Sequence, residues 1–294
     1  MKKFTSILFS FLALSAFAQT QVDKPTDVAF GENVISTTSW DVTSSNITID
    51  GTLTFNSDVH QYALKVANKT ITIGSTGVLN MNSTASNNHI SLGAFSAAAT
   101  ITIEAGGKLN GDRITASAKG SVINVYSPDG FNPVKSSYSQ IFFYQNATLN
   151  MYGAGTYSYT IIGAADKIAT LGFAKDVDLN IMDYVNVNNF TMDLVDFTET
   201  NSIFFTSNVT KTECILTLSE LSAEKYAVSF YDGENLKKTI TITGADLSDF
   251  SFEQATVDGV NGYLLSAVAV PEPAEWAMIF GGIALALAVY RRRK

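Results

Sequence analysis

Three stretches of this chain, "ITIDGTL" (Ile47 to Leu53), "ITIGSTGVLNM" (Ile71 to Met81) and "ITIEAGGKLNG" (Ile101 to Gly111), repeat one theme. Each opens with apolar-polar-apolar alternation, turns at glycine and resumes with an apolar residue. In the first, Ile47, Ile49, Leu53 and Phe55 share one face and Thr48, Asp50, Thr52 and Thr54 the other. That period of two is the signature of a half-buried strand. Degenerate copies follow as "VINVYSPDG" (Val122 to Gly130), "ATLNMYGAG" (Ala147 to Gly155) and "VDLNIMDY" (Val177 to Tyr184). With Ile47, Ile71, Ile101, Ile123, Leu149 and Leu179 as equivalent positions, the spacings are 24, 30, 22, 26 and 30 residues.

Strand-and-glycine units of this length cannot bury an apolar face alone, and stacking on neighbours solves the problem. The expected fold is therefore all-β, a parallel β-helix (β-solenoid) over residues 19–200, with a β-sandwich as the alternative because it also uses short strands between turns. Asn80, Asn110, Asn150 and Asn180 each follow a leucine. Asparagine tolerates left-handed corners and can also stack in ladders, so these positions are expected at coil corners. The repeat pattern resembles the passenger coils of autotransporter-type adhesins. From about Asn201 the theme fades, and residues 201–269 are expected to form a β-rich cap over the open end, including a strand pair around Asp232-Gly233.

The two ends of the chain read as addresses. Lys2 and Lys3, the apolar run from Phe4 to Leu14, and the small residues Ala16 and Ala18 have the layout of a secretory signal peptide over residues 1–18, with cleavage after Ala18. At the other end, Ala277 to Tyr290 is uncharged and would span roughly 21 Å as a helix. That is short against a hydrocarbon core of roughly 30 Å. Trp276 and Tyr290 sit where amphipathic rings favour the interface, and Arg291, Arg292, Arg293 and Lys294 would hold the following end on the cytoplasmic side and lengthen the span by snorkelling. Gly281 and Gly282 lie within this expected membrane helix. Pro271 and Pro273 lack backbone donors and push their predecessors extended, so Val270 to Pro273 should be a stiff, exposed peptide outside the bilayer.

Pro271-Glu272-Pro273, the apolar run opening with Trp-Ala-Met, and the basic cluster closely resemble, in that order, the PEP-CTERM sorting signal of Gram-negative bacteria, here over residues 270–294. Glu275 beside Trp276 shortens the apolar run without breaking the pattern. The resemblance implies a transient inner-membrane intermediate. It also implies processing near Pro-Glu-Pro by an exosortase, a membrane protease or transpeptidase, and delivery to the cell surface or an extracellular matrix rich in polysaccharide.

Charge narrows the partners. Six of the 19 lysines and arginines and two of the 27 acids lie in the terminal segments, leaving 13 basic against 25 acidic residues between them. Such a surface repels phosphate backbones, so no nucleic-acid partner is expected. Exposed Ser, Thr, Asn and Tyr side chains on a flat β face would suit hydrogen bonding to, and stacking on, sugars.

Candidates for chemistry are sparse. Cys214 is the only cysteine, so no intramolecular disulfide can form, and in "ECILTLS" it reads as a strand thiol. A nucleophilic role would need a histidine, and the two, His60 and His89, stand far upstream without a supporting motif. No metal or cofactor motif occurs. The acid-rich "KDVDLNIMD" brings Asp176, Asp178 and Asp183 close in sequence, followed by Asp193 and Asp196. If Asp176 and Asp178 share a strand face, they could hold Ca²⁺ or act as the acid and base of a polysaccharide lyase or hydrolase. The reading favoured by the whole chain is a non-enzymatic structural or adhesive surface protein, and the enzyme is the alternative.

Overall fold

A computed structural model describes residues 19–56, 62–82, 89–134, 138–182, 189–206 and 214–268. These form an all-β solenoid of about six turns of stacked parallel strands, with no α-helix among the described residues. The strands lie in three sheets, numbered here by their order within a coil.

Sheet I carries the repeat. Its solenoid strands are Ile47–Ile49, Thr70–Ile73, Thr100–Ile103, Val122–Val125, Ala147–Met151, Ile168–Phe173 and Thr191–Val195, paired in parallel from one end to the other. Sheet II contains Gln19–Gln21, Asn33–Ser36, Thr52–Phe55, Val78–Met81, Lys108–Asn110 and Phe131–Asn132. Sheet III begins with Trp40–Val42, Tyr62–Val66, His89–Leu92, Arg113–Ala116, Ser139–Phe143, Gly155–Gly163, Val177–Ile181 and Ser202–Thr206.

Alternation sets the packing. Ile71, Ile73, Ile101, Ile103, Ile123, Val125, Leu149 and Met151 point into the lumen and are buried, while the threonines and asparagines between them point out. β-Branched residues suit this pleated, half-buried surface. Parallel pairing in exact register places each inward side chain on its counterpart one coil away, Ile47 on Ile71 on Ile101 on Ile123 on Leu149 on Leu171. A sandwich, made of antiparallel hairpins, would not generate these ladders. Glycine at the tight turns lets backbones touch: a Cβ on Gly77 would lie 1.8 Å from the Ile49 carbonyl oxygen.

The cross-section changes along the axis. Up to Phe131–Asn132 each coil visits sheets I, II and III, and beyond it only I and III. The transition is made by the nine-residue strand Gly155–Gly163, whose second half pairs with Ser139–Phe143 and whose first half pairs with Val177–Ile181. Tyr157 and Tyr159 fill the lumen there, with Tyr159 against Phe131 at 5.8 Å between ring centroids. This taper corrects one sequence expectation. Leu179 stacks on Tyr157 and Ile203 in sheet III, and the partner of Leu149 is Leu171, so the last two sheet I spacings are 22 and 23 residues.

Past Ser202–Thr206 the pairing sense reverses. Asn235–Thr243 joins sheet I in parallel next to Thr191–Val195, then pairs antiparallel with Lys225–Asp232, which pairs antiparallel with Cys214–Ser222. Gly233, at φ 60°, makes the hairpin turn after Asp232. In sheet III, Val260–Ala267 pairs antiparallel with Ser202–Thr206 and with Phe250–Val257. Phe197 packs between Phe173 (5.0 Å) and Phe250 (5.2 Å), closing the apolar lumen at this end.

Candidate functional site

Two outward columns run the length of sheet I. One contains Thr70, Thr100, Val122, Thr148, Thr170, Asp193 and Thr243, and the other Thr48, Thr72, Thr102, Asn124, Asn150 and Gly172. The amides form a ladder: Asn150 Nδ2 donates to Asn124 Oδ1 at 2.9 Å, and Asn124 Nδ2 donates to Thr102 Oγ1 at 3.2 Å. Sheet II has its own ladder, with Asn110 Nδ2 donating to Asn80 Oδ1 at 2.8 Å and Asn80 Nδ2 to Thr54 Oγ1 at 3.3 Å. In sheet III, Asn180 Nδ2 donates to Ser158 Oγ at 3.3 Å. All four leucine-following asparagines therefore sit within strands rather than at left-handed corners. The ladder engages both ends of the amide at Asn80 and Asn124, which a corner would leave to solvent.

Where sheet I strands end, the chain turns at a fixed rung. The N–H groups of Gly74, Glu104, Tyr126, Tyr152 and Ala174 donate to the carbonyls of Ile49, Ile73, Ile103, Val125 and Met151, respectively. These positions thus form a third column along the corner, with side chains at Glu104, Tyr126, Tyr152 and Ala174. Tyr126 and Tyr152, adjacent in it, stack with centroids 4.5 Å apart and planes 23° from parallel, while 42% and 45% exposed. The separation is close to the 4.7–4.9 Å strand spacing, so the backbone register itself sets the stack. Beside it the turn after Tyr126 is held by Ser127, whose hydroxyl donates to the Asp129 carboxylate, and by Lys108, which pairs with the same carboxylate. The Lys108 ammonium, and then the Ser127 hydroxyl, hold the Asp129 carboxyl below the usual carboxylate range.

The acidic candidates are not brought together. Asp176 sits in a left-handed turn (φ 59°) ahead of the strand that carries Asp178, so the two do not share a strand face as expected. Asp178 accepts from Ser202 Oγ at 2.6 Å in sheet III, Asp193 accepts from Thr243 Oγ1 at 3.0 Å in sheet I, and Asp196 occupies another left-handed position (φ 57°). Asp183 and His60 lie outside the described residues. Among the described residues no group of three or more His, Cys, Asp or Glu side chains is arranged to hold a metal ion.

His89 is 4% exposed, in register with Arg113 and edge-on to Tyr62 at 6.1 Å. Burial, followed by the Arg113 cation and opposed by Asp112, pushes its pKa from 6.5 down to about 4. Arg113 is itself engaged, donating Nε to Gln140 Oε1 at 2.8 Å. Cys214 opens the strand Cys214–Ser222, opposite Asp232. A cavity of about 390 Å³ lies at the wide end, lined by Thr20, Val22, Asp27 and Glu32 among others. Its carboxylates serve the backbone: Asp27 accepts from the Thr48 N–H at 2.7 Å and Glu32 from the Ala29 N–H at 2.8 Å.

The terminal candidates, Ala16 and Ala18, Pro271, Glu272 and Pro273, Trp276, Gly281, Gly282 and Tyr290, and Arg291, Arg292, Arg293 and Lys294, lie outside the described residues. The tyrosine stack leaves one signal in the sequence: Tyr126 and Tyr152 each follow the last residue of a repeat strand, 26 residues apart, the spacing of Ile123 and Leu149. Compared with known proteins, the chain matches no family model, no curated protein and no solved structure.

Proposed function

We propose that the protein is an exported structural or adhesive component of the cell surface or extracellular matrix, sorted through its C-terminal segment by an exosortase-like membrane enzyme. The observation that carries the reading is the order Pro271-Glu272-Pro273, apolar run Ala277 to Tyr290, basic cluster Arg291 to Lys294, together with the signal-like layout up to Ala18. The passenger between these segments supports it in kind: a stacked solenoid presents long, regular polar columns, a form suited to extended contacts rather than to a small reactive cleft. In this reading the inner membrane holds the chain only in transit, and extracellular polysaccharide is the partner at its destination.

The test is the intact mass of the protein recovered from medium and from membranes of its native host, with and without alanines in place of Pro271-Glu272-Pro273. The expected result is a species lacking the tail, made only from the unaltered chain. A full-length membrane species from both chains would overturn the sorting and leave a simple single-span anchor.

A further inference from the structure

The two outward columns that bear Asn150 and Tyr152 are both cut short at the same coil. The amide ladder rises through Asn124 and Asn150 and meets Gly172, and the ring stack rises through Tyr126 and Tyr152 and meets Ala174. Neither successor has a side chain long enough to cover its predecessor. Asn150 Oδ1 leans over the vacant position, lying 2.4 Å from where a Cβ on Gly172 would be. One coil further, Val195 stands in register with Gly172 and is 40% exposed. The rung next to Asn150 and Tyr152 thus lacks both an amide and a ring.

We infer that this notch, floored by Gly172 and Ala174 and walled by Tyr152, Asn150 and Val195, is a binding subsite for one pyranose unit of a β-linked polysaccharide, the sugar taking the next place in the tyrosine stack. The ring face of Tyr152 carries the negative lobe of its quadrupole, to which the C–H face of a pyranose is complementary. Tyr126 behind it fixes the ring, so little rotamer freedom is lost on binding. Asn150 Oδ1 accepts a sugar hydroxyl at the edge of the notch. An equatorially substituted, β-linked chain extends in the plane of its rings, so with one unit stacked parallel to Tyr152 its neighbours run on across the corner, at right angles to the solenoid axis. A stacked nucleobase would bring phosphate to a chain whose central region holds 13 basic against 25 acidic residues. The inference rests on the outward-facing, matrix-associated reading for its setting, but the subsite is present whether or not the tail is cut.

The experiment is calorimetric titration of the full chain, purified in detergent, with cellohexaose, laminarihexaose and chitohexaose, repeated for Tyr152→Ala, Ala174→Tyr and Tyr152→Phe. Saturable binding of at least one oligosaccharide is expected. It should weaken about tenfold or more in Tyr152→Ala, which removes the platform, and in Ala174→Tyr, which fills the notch by extending the stack, and stay within about threefold in Tyr152→Phe. Both positions lie on the outer corner, and far-ultraviolet circular dichroism confirms the fold of each variant. Failure of the parent chain to bind any of the three, or binding unchanged in both disruptive variants, overturns the subsite. Either result is independent of the tail masses, so the subsite and the sorting can fail separately.

Discussion

Tyr157 and Tyr159 stand two residues apart on one strand, with ring centroids 6.1 Å apart in the lumen, and only the first has its hydroxyl satisfied. Tyr157 Oη accepts from the Gly153 N–H at 3.0 Å and donates to the Val125 carbonyl at 3.3 Å. Tyr159 Oη is fully buried and has no hydrogen-bond partner among the described residues. Removing the two oxygens should therefore act in opposite directions. Tyr157→Phe is expected to cost about 1–2 kcal/mol, and Tyr159→Phe to be neutral or stabilising by up to about 1 kcal/mol, because a buried orphan polar group is itself a penalty. Equilibrium urea unfolding of the two variants decides it; equal losses in both would contradict the assignment.

The amide ladder makes Asn124 a two-way link, donating to Thr102 and accepting from Asn150. Asn124→Ala should lower stability by about 1–2 kcal/mol, the worth of two half-exposed hydrogen bonds. Asn124→Thr, which restores a hydroxyl on a β-branched frame, should recover at least half of that. A threonine variant no better than alanine would show that the ladder contributes little.

The turn glycine Gly77 gives a steric prediction. An added Cβ would meet the Ile49 backbone oxygen at 1.8 Å, and a carbonyl in a ladder cannot rotate away as a side chain does. Gly77→Ala should destabilise by at least about 2 kcal/mol, with the loss seen as a lower urea midpoint. A midpoint unchanged from the parent would mean that the two coils can separate there at no cost.

His89 predicts a pH dependence. Its pKa is about 4 in the folded chain, against about 6.5 when exposed, so the native state binds fewer protons than the unfolded state between these values. The stability gained by holding it neutral is complete above pH 6.5 and is lost as pH falls towards 4, by at most about 3 kcal/mol. Arg113, Asp112 and Tyr62 are the neighbours that bear on it. His89→Phe, which keeps an edge-on ring but cannot titrate, should flatten the profile across that window relative to the parent. Parallel profiles in parent and variant would remove His89 as the cause.

Much of this architecture is legible before any coordinates. The in-register series Ile47, Ile71, Ile101, Ile123 and Leu149 is the spacing read directly from the repeats, because a parallel ladder forces equivalent residues to recur once per coil. The series fails at Leu179 for a physical reason. "VDLNI" and "ATLNM" have the same inward leucine and outward asparagine, and one strand's pattern records which face is buried but not which sheet it joins. The true successor, Leu171 in "ATLGF", has glycine where the asparagine was expected, the same substitution that opens the notch. Coil length is equally silent on shape: 22 residues separate Ile101 from Ile123 around three sheets and Leu149 from Leu171 around two. Asp176 reads as a strand residue in the sequence because a left-handed turn residue and a strand residue look alike in an alternating acidic run.

The taper at Phe131–Asn132 also limits how such a chain can lengthen through evolution. In a uniform solenoid, duplicating any one coil inserts a unit that fits above and below its copy. Here the coils before and after Phe131 enclose lumens of different outline, so a copied two-sided coil spliced among the three-sided ones would leave a gap beside sheet II, and the reverse splice would leave a strand with no neighbour. Among the described residues only the strand Gly155–Gly163, paired at its two ends with different strands, accommodates both outlines. Growth by duplication is thus confined to either side of it, and among the described residues that strand is the one segment that must stay single.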